Sequence, residues 1–327
     1  MKKLNFIIKY GLALLLLSFY SCESWLNVTP SDRLSEEMLF NDREGFVKAL
    51  NGVYIELNTN ELYGRNLTAG ALDVMGQYYS VASSSHAFYN YGGLVYTGND
   101  EKALFDNMWQ KCYAVIACCN TIIEKCDENK AGLSPVWKGS IKGEALALRA
   151  MLHFDMLRLF GPLTSELDKE SIPYQTNSDQ TVTPLLSGSE VIGLILDDLK
   201  NAVGLLKDTD PYFVEEEFSD TDLNYRRFRM NYFAAKGLMA RVQLWGGDKE
   251  KAAITAKEVI AEGQAEGAEF FPFVTNSEAT SSNPDRVFYS EVLFGTYHSS
   301  REKLHEDLFA PTLESTSILT DITILYP

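Results

Sequence analysis

Cysteine is scarce in this chain and poorly placed for cross-linking. The sequence has 327 residues and five cysteines. Apart from Cys22, they are Cys112, Cys118, Cys119 and Cys126, all within one stretch of helical period. Cys112, Cys119 and Cys126 recur every seven residues and so share a helix face. At 1.5 Å of rise per residue, neighbours on that face stand roughly 10 Å apart. That is too far for a disulfide, and it does not fit a compact metal site. They read as small buried apolar residues rather than as a redox or zinc centre. Basic residues are also in deficit, with 29 Lys and Arg against 45 Asp and Glu, a formal charge of -16. Such a chain is a poor partner for nucleic acid or an anionic membrane surface. Beyond residue 21 no apolar run is long enough to span a bilayer, which takes about 20 residues. Catalytic signatures are missing too. There is no Gly-x-Ser-x-Gly, no His-Glu-x-x-His and no P-loop. The four histidines, His86, His153, His298 and His305, are scattered. A pair of carboxylates could still do glycosidase chemistry, but nothing marks one pair, and the expectation is a non-enzyme without cofactor or metal.

What is present begins at the N-terminus. Lys2, Lys3 and Lys9 flank a charge-free run from Tyr10 to Ser21 that is too short for a membrane span and has the length of a signal-peptide core. Cys22 follows at once. An ordinary secretory signal with a chance cysteine would look like this. A lipoprotein signal over residues 1–21, cleaved before a lipidated Cys22, looks the same and is the expectation. Each buried methylene of an acyl chain contributes about 0.8 kcal/mol, so several chains on one cysteine make a stable tether. The anchor would then be the only membrane contact.

Downstream, helical periods dominate. The run Ser31–Asn58 carries Leu34, Met38, Phe46, Leu50, Tyr54 and Leu57 on one side, with a break at Asn41-Asp42 where either side chain can cap the next helix. A helix over Asp106–Cys126 and a second over Ser134–Phe160 follow. The second is apolar nearly all round, as a central helix would be. His153 within it reads as a satisfied core residue, and its Glu144, Arg149, Asp155 and Arg158 read as structural charges. Ser187 and Glu190 have capping-box spacing. Asn231–Trp245, a Gly246-Gly247-Asp248 turn and Lys249–Ala261 make a helix pair with small residues Ala252, Ala253 and Ala256 for close approach, the physical recipe of a tetratricopeptide (TPR) hairpin. Val287–Tyr289 and Glu291–Phe294 are expected as short strands. The fold class expected is all-α: TPR-like helix pairs in a right-handed stack, with long irregular loops and a few short strands.

One segment breaks the pattern. From Tyr63 to Gly98 the period dissolves, and tyrosines crowd residues 73–99, where Asp73 is the only charged residue until Asp100. Long irregular segments in compact domains tend to be functional or disordered. Sugar rings stack their apolar faces on aromatic side chains, and their hydroxyls need neutral or acidic polar partners. Asp73, Tyr78, Tyr79, Tyr89, Tyr91, Tyr96 and Asn99 are therefore the candidate ligand-binding residues. The competing reading is that these rings only pack the loop onto the helices.

The helical blocks also carry a family resemblance. GEALALRAMLHFDMLRLFGPL (Gly143–Leu163), NYFAAKGLMARVQLWGGDKEKAAITAKEVI (Asn231–Ile260), SEVLF (Ser290–Phe294) and CESWLNVTPSD (Cys22–Asp32) resemble, in order, blocks of the SusD/RagB family. Singly each is weak; four in register are specific. The resemblance implies a lipid-anchored, surface-exposed outer-membrane protein. It would bind a neutral glycan, or in RagB-type members a peptide, for a TonB-dependent transporter of the SusC/RagA type. A TPR-like adaptor binding only protein is the alternative. Along the chain the expected division is signal 1–21, an N-terminal segment with the aromatic loop at 22–105, a TPR-like core at 106–270 and the start of an incomplete C-terminal region at 271–327. Family members are usually longer, so sites built from late loops stand furthest from what the sequence supports.

Overall fold

The computed structural model describes residues 36–321 except 180, 215–216, 220–224 and 266–267. Cys22 and the signal segment lie outside the described residues. Eleven helices occur among the described residues: α1 (Glu36–Leu39), α2 (Arg43–Leu57), α3 (Ala71–Met75), α4 (Tyr89–Gly92), α5 (Asn99–Glu128), α6 (Pro135–Phe160), α7 (Gly188–Thr209), α8 (Tyr232–Trp245), α9 (Lys249–Gly263), α10 (Asn276–Ala279) and α11 (Arg301–Leu308). The strands are two to four residues long and pair antiparallel into three two-stranded ribbons: β1 (Tyr79–Ser80) with β6 (Thr320–Asp321), β2 (Glu170–Pro173) with β3 (Leu185–Ser187), and β4 (Gln264–Ala265) with β5 (Ala268–Glu269). The fold is all-α and TPR-like.

Local chemistry sets the helix ends. The Asp42 carboxylate accepts the Gly45 N–H at 2.8 Å and opens α2 at the expected break. α5 closes on Asn129 in the left-handed region (φ 45°), a conformation asparagine tolerates. Its side chain then bridges to Leu133, accepting the N–H at 2.8 Å and donating to the carbonyl at 3.2 Å. Ser134 caps α6, with Pro135 at the first helical position where no N–H is needed. The Ser187–Glu190 capping box forms. Asn231 opens α8 and Asp248 opens α9 after the Gly246-Gly247 turn, with Gly247 at φ 88°. The periodic reading started α5 late. The helix begins at Asn99, where Asp100 and Glu101 sit favourably at the positive end of its dipole.

Each long helix packs on its chain neighbour, in the order α2, α5, α6, α7, α8, α9, the short-range connectivity of a repeat array. α6 lies in the middle and is buried along most of its length. It can approach α7 because Gly143 has no side chain: a Cβ there would stand 2.7 Å from Leu206 Cγ. Cys112, Cys119 and Cys126 lie buried and unpaired on one face of α5, Cys118 exposed. Burial pushes the Cys126 thiol up to about 12, so it stays protonated.

Two ion networks tie the stack together. The Arg149 guanidinium grips Asp198 with two bonds of 2.7 and 2.6 Å and donates to Asn120 at 2.8 Å, while Tyr174 donates to Asp198 at 2.5 Å. Arg226, 1% exposed, donates to Asp210 at 3.0 and 2.6 Å and pairs with Glu144. Glu144 also receives Arg229 at 3.1 Å and the Tyr54 hydroxyl at 2.8 Å. His153 is the core residue its position implies. It is bonded to the Arg149 carbonyl and the Gln175 N–H, both at 3.0 Å, and stacked 3.9 Å from Tyr174. Asp155 and Arg158 pair at 3.2 Å. These charges are structural, as their setting in α6 implied.

Two expectations are corrected. Residues 287–294 form no strand. The Asp285 carboxylate accepts the N–H groups of Val287 at 2.9 Å and Tyr289 at 2.7 Å, curling the chain into a 3₁₀ turn at Tyr289–Glu291 with Phe288 at φ 50°. The residues beyond are held at single points, Leu293 O by the Asn231 side chain and Gly295 N by Arg227 O, rather than by a ladder. In α9 the buried face is Ala252, Thr255 and Val259; Ala253 and Ala256 point outward. Three small residues in a row of helical spacing left the phase of the face open.

Candidate functional site

The irregular stretch is laid down in short steps. Its entry is pinned by the Tyr63 hydroxyl on Asp155 at 2.7 Å and by His298 bonded to the Gly64 carbonyl at 2.9 Å. α3 turns Ala71 and Val74 inward. Gln77 takes a left-handed φ of 61° and donates its side-chain amide to the Gly92 carbonyl at 3.0 Å, joining the α3 end of the segment to α4. Downstream, β1 pairs with β6, and Ser80 shares a 2.7 Å hydroxyl bond with Thr320. His86 accepts the Phe88 N–H on Nδ1 at 2.9 Å and faces the Ser317 carbonyl through Nε2 at 3.0 Å. One nitrogen accepts and the other meets an acceptor, which fixes the neutral tautomer with the proton on Nε2.

Beneath lies a second, smaller core of Ala71, Val74, Phe88, Tyr91, Leu308 and Leu319. It sorts the candidate tyrosines. Tyr91 is 2% exposed and packs against Phe88, Tyr96 and Phe105 at centroid separations of 5.9, 6.3 and 5.9 Å. Burial pushes its hydroxyl up to about 12. Tyr96 stands edge-on to Phe105 at 5.5 Å, and Tyr79 lies 5.1 Å from Phe309. These three rings serve the packing the competing reading assigned them. Tyr78 and Tyr89 are different: 70% and 43% exposed. Asp73 sits in the first turn of α3, half-buried, and burial raises its carboxyl above the ordinary range. Asn99 is exposed at the start of α5. Asn90 donates to Glu101 at 2.8 Å. The segment thus offers two free aromatic faces on a braced support, with neutral polar groups along it.

The structure also shows a concave site that no sequence pattern announced. A cavity of about 670 Å³ is lined by Asn51, Tyr54, Asn58, Tyr225, Phe228 and Tyr297, among others, within the usual range for ligand sites. Arg229 crosses the Tyr54 ring at 4.8 Å, and Phe228 and Tyr297 meet edge-on at 5.6 Å. Three segments far apart in the chain build it, so only Tyr54, on an apolar helix face, carried any sequence signal. Among the described residues no group of His, Cys, Asp and Glu could hold a metal ion, and no helix is long and apolar enough to cross a membrane.

The molecule is a TPR-like helical stack with an aromatic excursion braced by late chain. A family profile described as SusD-like, starch-binding and associating with the outer membrane matches residues 24–244, about two-thirds of the chain. The chain belongs to this SusD-like family. It is 26% identical over 265 residues to the SusD-like protein P2 of Formosa agariphila, covering 79% of this chain and 46% of that one. A SusD-like protein of Bacteroides ovatus is 30% identical over 146 residues, 43% of this chain and 23% of the relative. A SusD-like carbohydrate binding protein of Bacteroides vulgatus superposes with a TM-score of 0.57 at 24% identity, over 73% of this chain and 47% of that structure. The chain spans about half the length or less of these relatives.

Proposed function

We propose that this protein captures oligosaccharides at the outer membrane and delivers them to a TonB-dependent transporter of the SusC/RagA type, held at the cell surface by lipid on Cys22. The observation that carries the binding step is the pair of exposed rings, Tyr78 and Tyr89, on a segment whose other tyrosines are packed. A flat exposed ring on a rigid support offers apolar area at little conformational cost, which suits the face of a sugar. The segment between Asp73 and Asp100 contains no charged residue, which favours a neutral glycan. Hydroxyl hydrogen bonds largely replace those to water and contribute about 0.5–1.5 kcal/mol net each. Stacking therefore dominates, and affinity is modest and weakly dependent on salt. The family description, starch-binding and associating with the outer membrane, supports the same reading. No catalytic step is assigned.

An array of neutral oligosaccharides, maltoheptaose among them, tests capture on the full chain. Binding to at least one member is expected, and none across the array contradicts the reading. Cys22→Ser tests the tether. The variant is expected unprocessed or released from the membrane fraction; a mature, membrane-bound Cys22→Ser protein would refute lipid attachment. Co-purification of the transporter with the tagged protein tests delivery.

A further inference from the structure

A second cleft has the opposite chemistry. Two adjoining cavities, of about 370 and 540 Å³, share Arg158, Arg241 and Trp245 in their walls. Asp155 lines the first, and Thr164 and Lys249 line the second. The two cavities together are therefore lined by three cations and one carboxylate. That carboxylate is already engaged, by Arg158 at 3.2 Å and by the Tyr63 hydroxyl at 2.7 Å. Arg241 and Lys249 form no ion pair among the described residues, although the chain has 45 acidic residues available. Arg158 is braced against rings, 5.4 Å from the centroid of Trp245 and 5.6 Å from that of Phe154. Leu238 and Met151 supply apolar wall. Two unbalanced cations and an apolar wall in one concavity match one kind of guest: an oxyanion carried on a ring.

We propose that this cleft is a subsite for an acidic sugar, one bearing a carboxylate. The Arg241 guanidinium takes the carboxylate in its two-bond fork, Lys249 adds a point charge, and the apolar wall takes the ring. The subsite rests on the glycan-capture reading but uses none of the residues assigned to the neutral sugar. It widens the substrate class from neutral glycans to those that also carry uronic acids.

The test is calorimetric titration of the full chain with oligomers of galacturonic and of glucuronic acid, with their methyl esters, and with inorganic sulfate. At least one acid oligomer is expected to bind, with affinity falling as salt rises, and its ester to bind about tenfold more weakly or worse. Arg241→Gln and Lys249→Gln are each expected to weaken the acid oligomer about tenfold, and Arg241→Lys to retain part of the affinity. Arg241 and Lys249 are exposed, so the variants should keep the parent's helical spectrum. Absence of binding by both acid oligomers, esters that bind as well as the acids, or a folded Arg241→Gln protein that binds like the parent would overturn the subsite. Sulfate that competes as well as the oligomer would reduce it to a bare oxyanion site and also overturn the sugar assignment. Glycan capture is judged separately, on the neutral array.

Discussion

The two cores of this molecule are held by different means. The large one, between α2 and α9, is built from neighbours in the chain and crossed by buried ion networks around Arg149 and Arg226. The small one, under the aromatic segment, is built from residues more than two hundred positions apart. His86 meets Ser317, Ser80 meets Thr320, and Tyr79 meets Phe309. The first core has length and charge; the second has only six buried residues among the described ones, with tilted and edge-on rings at its margin. With so few residues of its own, the small core draws Leu308 and Leu319 from distant chain for support. Substitutions in the two regions should therefore report differently.

The largest effect is expected in the helical stack. Arg226→Met leaves Asp210 buried without its cation and Glu144 with Arg229 alone, and breaking such a buried pair costs about 3–5 kcal/mol. Urea unfolding should show the whole helical signal shifting together to lower denaturant. Loss of the aromatic segment alone would contradict the division. Next comes Tyr91→Ala, which empties the centre of the small core at a cost of about 3 kcal/mol. Hydrogen exchange should quicken across residues 71–98 and near Leu308 and Leu319, while α5 to α8 stay protected. Uniform quickening would show that the cores unfold as one.

A smaller effect is set by acid. His153 is held neutral by burial, its pKa lowered from the usual 6.5 to about 3. The folded value lies below the unfolded one, so the unfolded chain binds more protons between about pH 6.5 and 3. Stability is thus intact above pH 6.5 and declines as pH falls through that window, by about 2 kcal/mol at pH 5 from this residue. His153→Gln should be less stable at pH 7 but flatter in its acid dependence, read by unfolding at several pH values. An unchanged slope would mean that other groups set the acid limit.

What was legible beforehand follows the same division. The break at Asn41-Asp42 and the capping box at Ser187–Glu190 could be read because a cap is local chemistry: one side chain, one N–H three residues on. The buried face of Cys112, Cys119 and Cys126, and the structural role of His153 and Arg149, followed from helical period. The sorting of the tyrosines was hidden. Nothing local distinguishes Tyr91 from Tyr89; the difference arises from Leu308 and Leu319 arriving from the far end of the chain. The cavity around Tyr54, Tyr225 and Tyr297 was hidden for the same reason, as was the cleft at Arg241, whose arginine read as one letter of a helical motif.

The measurement that bears most directly on the account is titration of a neutral oligosaccharide selected from the array, maltoheptaose if it binds, into the parent, Tyr78→Ala, Tyr89→Ala and the double variant. Both tyrosines are exposed, so each substitution should change unfolding stability by less than about 0.5 kcal/mol. At least one should weaken binding about tenfold, near 1.4 kcal/mol, with the helical spectrum intact and little dependence on salt. Parent-like affinity in all three variants would place the glycan elsewhere and contradict the claim that the aromatic segment is the capture surface.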